Sequence, residues 1–321
     1  MSFDKIKKII NQNNTFAIIP HKNPDGDAIG SSLALAYALK KLGKTAKIFI
    51  SGDFPKNLND IWTDEFVHTK LNEPYAAIVL DCASFDRFDE KEKEIFENAK
   101  ETALIDHHIT NEGFADANYI DAKAAATGEI MYDFLHNVLN VEFDSELAKY
   151  IYCALVCDTG SFKYSNTTNK TLLVASKLLE YGIDPSYFSQ KILDQRSQKQ
   201  VIAMKECLNN LSFHLNGKVC VSYITYEFIE KNDLEFDDAD FFVSFPRDIE
   251  NVEVGVYLKV RSENEIKVSL RSNSYVDVSR VANEFGGGGH VRAAGLTINN
   301  KTVEEAIKII LEKVEKAINE R

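Results

Sequence analysis

Four stretches of this chain place oxygen and nitrogen donors directly after apolar runs. "HKNPDGDAIGSS" follows "TFAIIP" and supplies His21, Asp25 and Asp27. "YAAIVLD" ends in Asp81, "TALIDHH" ends in Asp106, His107 and His108, and "CDTGSF" carries Asp158. A single aspartate after a strand is ordinarily a cap or a turn residue. Four such sites together are different, because neighbouring carboxylates repel one another and hold protons more tightly unless a cation neutralises them. Adjacent titratable residues at the end of a buried strand are also costly unless something pairs with them. An oxygen-rich set that includes imidazoles suits divalent ions such as Mn²⁺, Mg²⁺, Fe²⁺ or Zn²⁺, and the lack of a thiolate cluster disfavours a structural zinc site. The donors suffice for two ions sharing one carboxylate, an arrangement that activates water and clamps a phosphoryl group.

These residues need elements to bring them together. From the start to about residue 180, apolar strands ("TFAIIP", "TAKIFI", "YAAIVLD", "ETALIDHH") alternate with helical stretches. The first helix is expected over 27–43, with Leu33, Ala34, Tyr37, Ala38 and Leu42 at helical spacing and Gly43 as its stop. Alternation of this kind predicts right-handed crossovers and a largely parallel sheet, whose strand carboxyl ends gather the acidic and histidine residues on one edge. Helical patterns follow at 126–139, 144–158, 169–182 and near 186–209. After 210 come short alternating strands ("LSFHL", "KVCVSYI", "VEVGVYLKV", "EIKVSLRS") with a hairpin signal, "NGK", at 216–218. A helix then leads into "GGGG", "LTI" and a closing helix at 302–319. The expected organisation is an α/β domain over 1–185 with a parallel sheet, a helical connector over 186–210 and a smaller α+β domain over 211–321.

Composition narrows the function classes. The chain has 321 residues, 45% hydrophobic and 27% charged, which is a globular profile large enough for two domains. No apolar run approaches the roughly 18 residues that span a bilayer, and "MSFDKIKKII" lacks the apolar core of a signal peptide, so a cytoplasmic chain with no membrane partner is expected. Five scattered cysteines without CxxC spacing fit free thiols in a reducing compartment, with Cys153 and Cys157 as packing residues. A net charge of −12 argues against a long-duplex footprint, yet it leaves room for a short anionic substrate in a locally positive pocket. Of eight arginines, only Arg87 and Arg196 precede residue 211, while Arg247, Arg261, Arg271, Arg280, Arg292 and Arg321 follow it. The later third is therefore where an anion is expected to be gripped. "GGGGHVRAAG" reads there as a backbone nest offering N–H donors, with His290 beside Gly287, Gly288 and Gly289, and with Arg271 and Ser272 completing a phosphate pocket. Arg292 is open between substrate and solvent. His68, His136, His214 and Trp62 read as surface or packing residues, and "EFDDAD" (235–240) as a solvated turn.

Taken in order, "HKNPDGDAIGSS", Asp81, "DHH" and "CDTGSF" resemble the four motifs of the DHH phosphoesterase superfamily, and "VSLRSN" with "GGGGHVRAAG" resembles its associated C-terminal domain. Length and spacing are most similar to the compact bacterial nanoRNase (NrnA-like) subgroup. The resemblance implies hydrolysis of short single-stranded oligoribonucleotides to 5'-mononucleotides and dephosphorylation of 3'-phosphoadenosine 5'-phosphate, with two divalent ions, Mn²⁺ foremost, as cofactors. It implies one ion on His21, Asp25 and Asp81 and a second on Asp27, Asp81, His107 and Asp158, with Asp81 bridging. His108 would face the substrate as acid or phosphate contact, and Asp106 would orient the histidines. Gly26 and Gly30 would let the backbone turn tightly around the ions. A homodimer is compatible with the resemblance. Cyclic di-AMP or its linear product pApA is the alternative substrate class. A soluble pyrophosphatase fits the glycine-rich segment less well, and a binding module without turnover fits a complete ligand set poorly.

Overall fold

The computed structural model describes residues 2–320 apart from Asp53, Thr69 and Asn72, so Arg321 lies outside the described residues. The early apolar runs form β1 (Thr15–Ile19), β2 (Thr45–Ile48), β3 (Ala76–Leu80) and β4 (Thr102–Asp106), joined by β5 (Ala117–Ile120). Among the described residues these make one fully parallel sheet in the order β2-β1-β3-β4-β5. Every residue of β1, β3 and β4 is buried, which is why those segments read as unbroken apolar runs rather than alternating ones. One face packs on α1 (Asp4–Gln12), α2 (Gly26–Lys41), α4 (Thr127–Asp133) and α5 (Ser145–Asp158). The other face packs on α3 (Glu90–Glu97) and a cluster of Phe85, Phe88, Phe96 and Phe114. Helices α6 (Asn169–Leu179) and α7 (Pro185–Ser189) complete this unit.

Two details depart from expectation. β5 has no clear sequence signal: it is four residues long, only Ala117 is fully buried, and as an edge strand it needs neither alternation nor a β-branched run. Gly26 and Gly30 do not serve tight turns around a centre. Both lie within α2, where a Cβ on Gly30 would come 2.5 Å from the Tyr150 carbonyl oxygen and one on Gly26 would come 2.0 Å from the Cys157 sulfur. Their missing side chains let α2 and α5 approach closely, which also accounts for Cys157 as a packing residue. All five cysteines are free.

The chain divides into two compact units, Met1–Gln195 and Arg196–Arg321. Of the expected connector, α7 and a π-helical turn at Gln190–Asp194 belong to the first unit, and α8 (Gln198–Asn209) belongs to the second. Among the described residues the second unit holds a six-stranded sheet in the order β10-β11-β9-β8-β7-β6. Its strands are β6 (Ser212–His214), β7 (Val219–Ile224), β8 (Val254–Ser262), β9 (Glu265–Ser272), β10 (Gly288–His290) and β11 (Ala293–Asn299). β7 and β8 run parallel, because the chain between them crosses over through α9 (Tyr226–Lys231) and a 3-10 segment, Phe236–Asp248. "EFDDAD" opens that segment and is helical rather than a turn: Glu235, Asp237 and Asp240 are exposed, while Ala239 is buried and Phe242, just beyond, packs with Tyr257. Helix α10 (Val278–Asn283) and the closing helix α11 (Val303–Asn319) pack on the same sheet through Val281, Ala306, Ile310 and Val314. Among the described residues no helix is long and apolar enough to cross a membrane.

Candidate metal centre

The sheet order reverses beside β1: the chain passes from β1 to β2 on one side and returns to β3 on the other. Carboxyl ends at such a reversal form the natural crevice of a parallel sheet. His21 follows β1, Asp81 follows β3, and Asp106, His107 and His108 follow along β4. Asp25 caps α2, accepting hydrogen bonds from the Asp27 and Ala28 backbone N–H groups at 3.0 and 3.1 Å. Asp158 is the last residue of α5. Asp81 has φ +55°, a left-handed conformation that few side-chain-bearing residues adopt, and such outliers concentrate at functional sites.

The side chains converge. His21 Nε2 lies 3.9 Å from Asp25 Oδ2 and 4.0 Å from Asp81 Oδ2. His107 Nε2 lies 3.2 Å from Asp158 Oδ2, 3.6 Å from Asp81 Oδ1 and 3.8 Å from Asp27 Oδ2. Asp81 thus turns one oxygen toward the His21–Asp25 group and the other toward the His107–Asp27–Asp158 group. Donor atoms within 4.8 Å of one another make up His21, Asp25 and Asp81, then Asp27, His107 and Asp158, and also Asp81 with His107 and His108. All six residues expected from sequence as ligands are brought together.

Electrostatics test whether a cation fits. Burial, then the charges of Asp25 and Asp158, push the Asp81 carboxyl up to about 8. Burial and the same kind of repulsion take Asp158 to about 7 and raise Asp27 well above the carboxylate range. Three carboxylates that resist ionisation in their own company are what a divalent cation relieves. The imidazoles are oriented for it: Nδ1 of His21 lies 2.8 Å from the Lys22 carbonyl and Nδ1 of His107 lies 3.3 Å from the Ala124 carbonyl. A proton on each Nδ1 would leave Nε2 free toward the cluster. The donor set fits hard or borderline divalent ions.

His108 is different. Its Nδ1 donates to Asp106 Oδ1 at 2.8 Å, and that bond, against the opposing effect of burial, raises the imidazole to about 9. Asp106 is fully buried and accepts a second hydrogen bond from Asn111 Nδ2 at 2.6 Å. Burial pushes its carboxyl up, but these bonds prevail and hold it below the usual range. His108 is 40% exposed, so it faces outward as a protonated group while Asp106 stays behind it.

Sequence reasoning did not single out several residues that build this centre. Asp27 accepts from the backbone N–H groups of Thr127 and Gly128 at 2.6 and 2.9 Å and from Ser31 Oγ at 3.0 Å. Thr127 Oγ1 donates to Asp81 Oδ1 at 3.0 Å. The signal was faint: "ATGE" at the start of α4 reads only as a helix entry. Arg87, noted for its isolation, has Nη2 3.1 Å from His21 Nδ1.

In the second unit, Arg271 and the glycine run lie on one sheet with β11 between them, and the run is not an irregular nest. Gly288–His290 is an edge strand paired antiparallel with β11, and Arg271, on β9, is opposite Ala293 of β11. A Cβ on Gly287 would come 2.3 Å from the Gly295 carbonyl oxygen, and one on Gly289, whose φ is +144°, would come 2.5 Å from the Ala293 oxygen. These two glycines have a packing reason of their own. Arg271 is half-buried, and burial with the charge of Arg247 lowers its guanidinium pKa. His290 is exposed. Ser272 is buried, its hydroxyl donating to the Val291 carbonyl at 3.4 Å. Arg292 goes neither to solvent alone nor to an anion: it donates to the Val276 carbonyl at 2.8 Å and to that of Ser274, clamping the turn before α10.

The sequence and the fold match known proteins. Residues 15–155 match the DHH family, N-terminal domain, and residues 216–320 match the DHHA1 domain. The chain is 35% identical to the bifunctional oligoribonuclease and PAP phosphatase NrnA of Thermus thermophilus, over 92% of this chain and 88% of that one. It is 27% identical to the protein of the same name from Bacillus subtilis, over 89% and 90%. A crystal structure of an exopolyphosphatase-related protein from Bacteroides fragilis superposes with a TM-score of 0.87 at 26% identity, covering 98% of this chain and 95% of that one. The chain belongs to the DHH phosphoesterase family, in its NrnA-like subgroup, and is a hydrolase of phosphoesters.

Proposed function

We propose that this protein is a two-metal, Mn²⁺-dependent phosphoesterase that releases 5'-mononucleotides from very short RNA and removes the 3'-phosphate of 3'-phosphoadenosine 5'-phosphate. The observation that carries the reading is Asp81, whose two oxygens face two separate ligand groups. His21, Asp25 and Asp81 would hold one ion, and Asp27, Asp81, His107 and Asp158 the other. Ions held there supply Lewis-acid activation of water and neutralise charge on a phosphoryl group. The chain's own part is proton handling and support. His108, kept protonated by Asp106, would give a proton to the departing oxygen or hold a phosphate oxygen. Asn111 fixes Asp106, and Asp106 fixes the ring. In the second unit, Arg271 would offer a planar fork and His290 a ring to a terminal phosphate.

The substrate names rest on the relatives and are tested directly. With Mn²⁺ present, phosphate and mononucleotide release is measured on pApA, 3'-phosphoadenosine 5'-phosphate, cyclic di-AMP and pyrophosphate. The expected order has the first two far ahead. Cyclic di-AMP as the best substrate would replace this reading with a cyclic-dinucleotide phosphodiesterase, and pyrophosphate as the best would remove nucleotides from the reading altogether.

A further inference from the structure

We propose that Arg87 is the anion-gripping side chain of the metal centre, its guanidinium holding the phosphate that reacts there; this rests on the phosphoesterase reading above. Arg87 is the only arginine in the first unit. It ends a 3-10 turn, Phe85–Arg87, shortly after Asp81. The turn is anchored on one side by Phe85 and Phe88, whose rings pack on Phe96 with centroids 5.6 and 6.1 Å away. On the other side the Arg87 carbonyl accepts from the Lys22 N–H at 2.9 Å, tying the turn to the His21 loop. The backbone of Arg87 is thus held from two directions, while its side chain is exposed and reaches His21.

Two observations set this side chain apart from ordinary surface charge. The neighbouring cation, Lys22, is engaged by Asp89 at 2.8 Å, whereas Arg87 makes no ion pair with a carboxylate among the described residues, although it stands at the edge of a strongly acidic cluster. Its polar partner is Nδ1 of His21 at 3.1 Å, and that same nitrogen lies 2.8 Å from the Lys22 carbonyl oxygen. The two contacts ask opposite things of Nδ1. A histidine that offers Nε2 to a cation keeps its proton on Nδ1, where it donates to the Lys22 carbonyl. Nδ1 then has no lone pair for Arg87. With Nδ1 donating to the Lys22 carbonyl, the exposed guanidinium would stand next to His21 with no acceptor on that ring and no carboxylate partner. A phosphate oxygen is the acceptor that suits its charge and its planar fork.

Calorimetry on the whole protein and on its Arg87→Ala and Arg87→Lys variants tests this, first titrating Mn²⁺ and then inorganic phosphate into the Mn²⁺-loaded protein. Mn²⁺ affinity is expected to stay within about threefold of the parent in both variants, since no ligand is touched. Phosphate affinity is expected to fall about 10- to 100-fold in Arg87→Ala and by less in Arg87→Lys, which keeps the charge but loses the fork. Unchanged phosphate affinity in Arg87→Ala overturns the proposal. So does a loss of Mn²⁺ affinity as large as the loss of phosphate affinity, which would make Arg87 a prop for His21. A parent protein that takes up Mn²⁺ but no phosphate would likewise overturn the proposal, whereas failure to hydrolyse any of the nucleotides above would bring down the reading on which it rests.

Discussion

Asp81 in the first unit and Glu253 in the second are both buried carboxylates, exposed to 2% and 5%, yet their surroundings treat charge in opposite ways. Glu253 Oε1 accepts from the backbone N–H groups of Ser274, Tyr275 and Val276 at 3.2, 2.8 and 2.9 Å, and Oε2 accepts from Ser274 Oγ at 2.7 Å. Burial pushes its pKa up, but these donors prevail and hold it below the usual range. Asp81 has the Thr127 hydroxyl and a ring of other carboxylates, and its carboxyl is pushed up to about 8. Burial of an acid is therefore not the mark of a site. The supply of donors decides: Glu253 is a satisfied staple for the turn before α10, and Asp81 is short of positive charge.

The largest consequence concerns turnover. Asp81→Ala is expected to reduce phosphoester hydrolysis to background, and the metal-free variant is expected to melt at or above the parent temperature because a repelling carboxylate is gone. Near-parent activity would break the bridging role. Next come the two histidines beside each other on the chain. His107→Ala is expected to lower bound metal by elemental analysis. His108→Ala is expected to keep its metal while turnover falls about 10²- to 10⁴-fold, the usual range for a proton-transfer group. Equal metal loss in both would merge roles that the geometry separates.

Glu253→Gln sharpens the other side of the comparison. An amide in that position can keep its oxygen on the three backbone N–H groups and turn its N–H₂ toward the Ser274 hydroxyl, but it loses the charge that strengthens those bonds, so urea unfolding is expected to show a loss of about 1–2 kcal/mol. Metal content should be unchanged. The last consequence is in the pH dependence of the metal-free protein, where the two regions act in different windows. Asp81 and Asp158 have pKa values raised to about 8 and about 7, so their contribution is complete below the ordinary carboxylate value and is lost as pH rises toward 8. Glu253 is lowered, so its contribution is present above the ordinary value and is lost as pH falls through its folded pKa. Melting temperature should decline between pH 5 and pH 8 without metal, and that decline should shrink with Mn²⁺, which takes the place of the protons. A flat profile without metal would mean the cluster carries no strain of charge.

Much of this protein is written locally. The strand–helix alternation, the switch to short alternating strands after 210 and the four donor-bearing segments are visible in the residues themselves, because strand and helix periods depend on near neighbours and because strand ends mark one edge of a parallel sheet. The chemical types of His21, Asp25, Asp27, Asp81, His107 and Asp158 already point to a hard divalent ion. What the residues alone could not decide is who supplies hydrogen bonds to whom. That Thr127 and Gly128 hold Asp27 across 100 and 101 residues of sequence, that Arg87 reaches His21, that Ser272 turns inward and that Arg292 clamps a turn all depend on packing between distant segments. The same holds for Gly26 and Gly30, which look like turn residues in sequence and prove to be the contact between two helices. Hydrogen bonds and close contacts form over a few ångströms, and only the tertiary fold sets those distances between residues far apart in the chain.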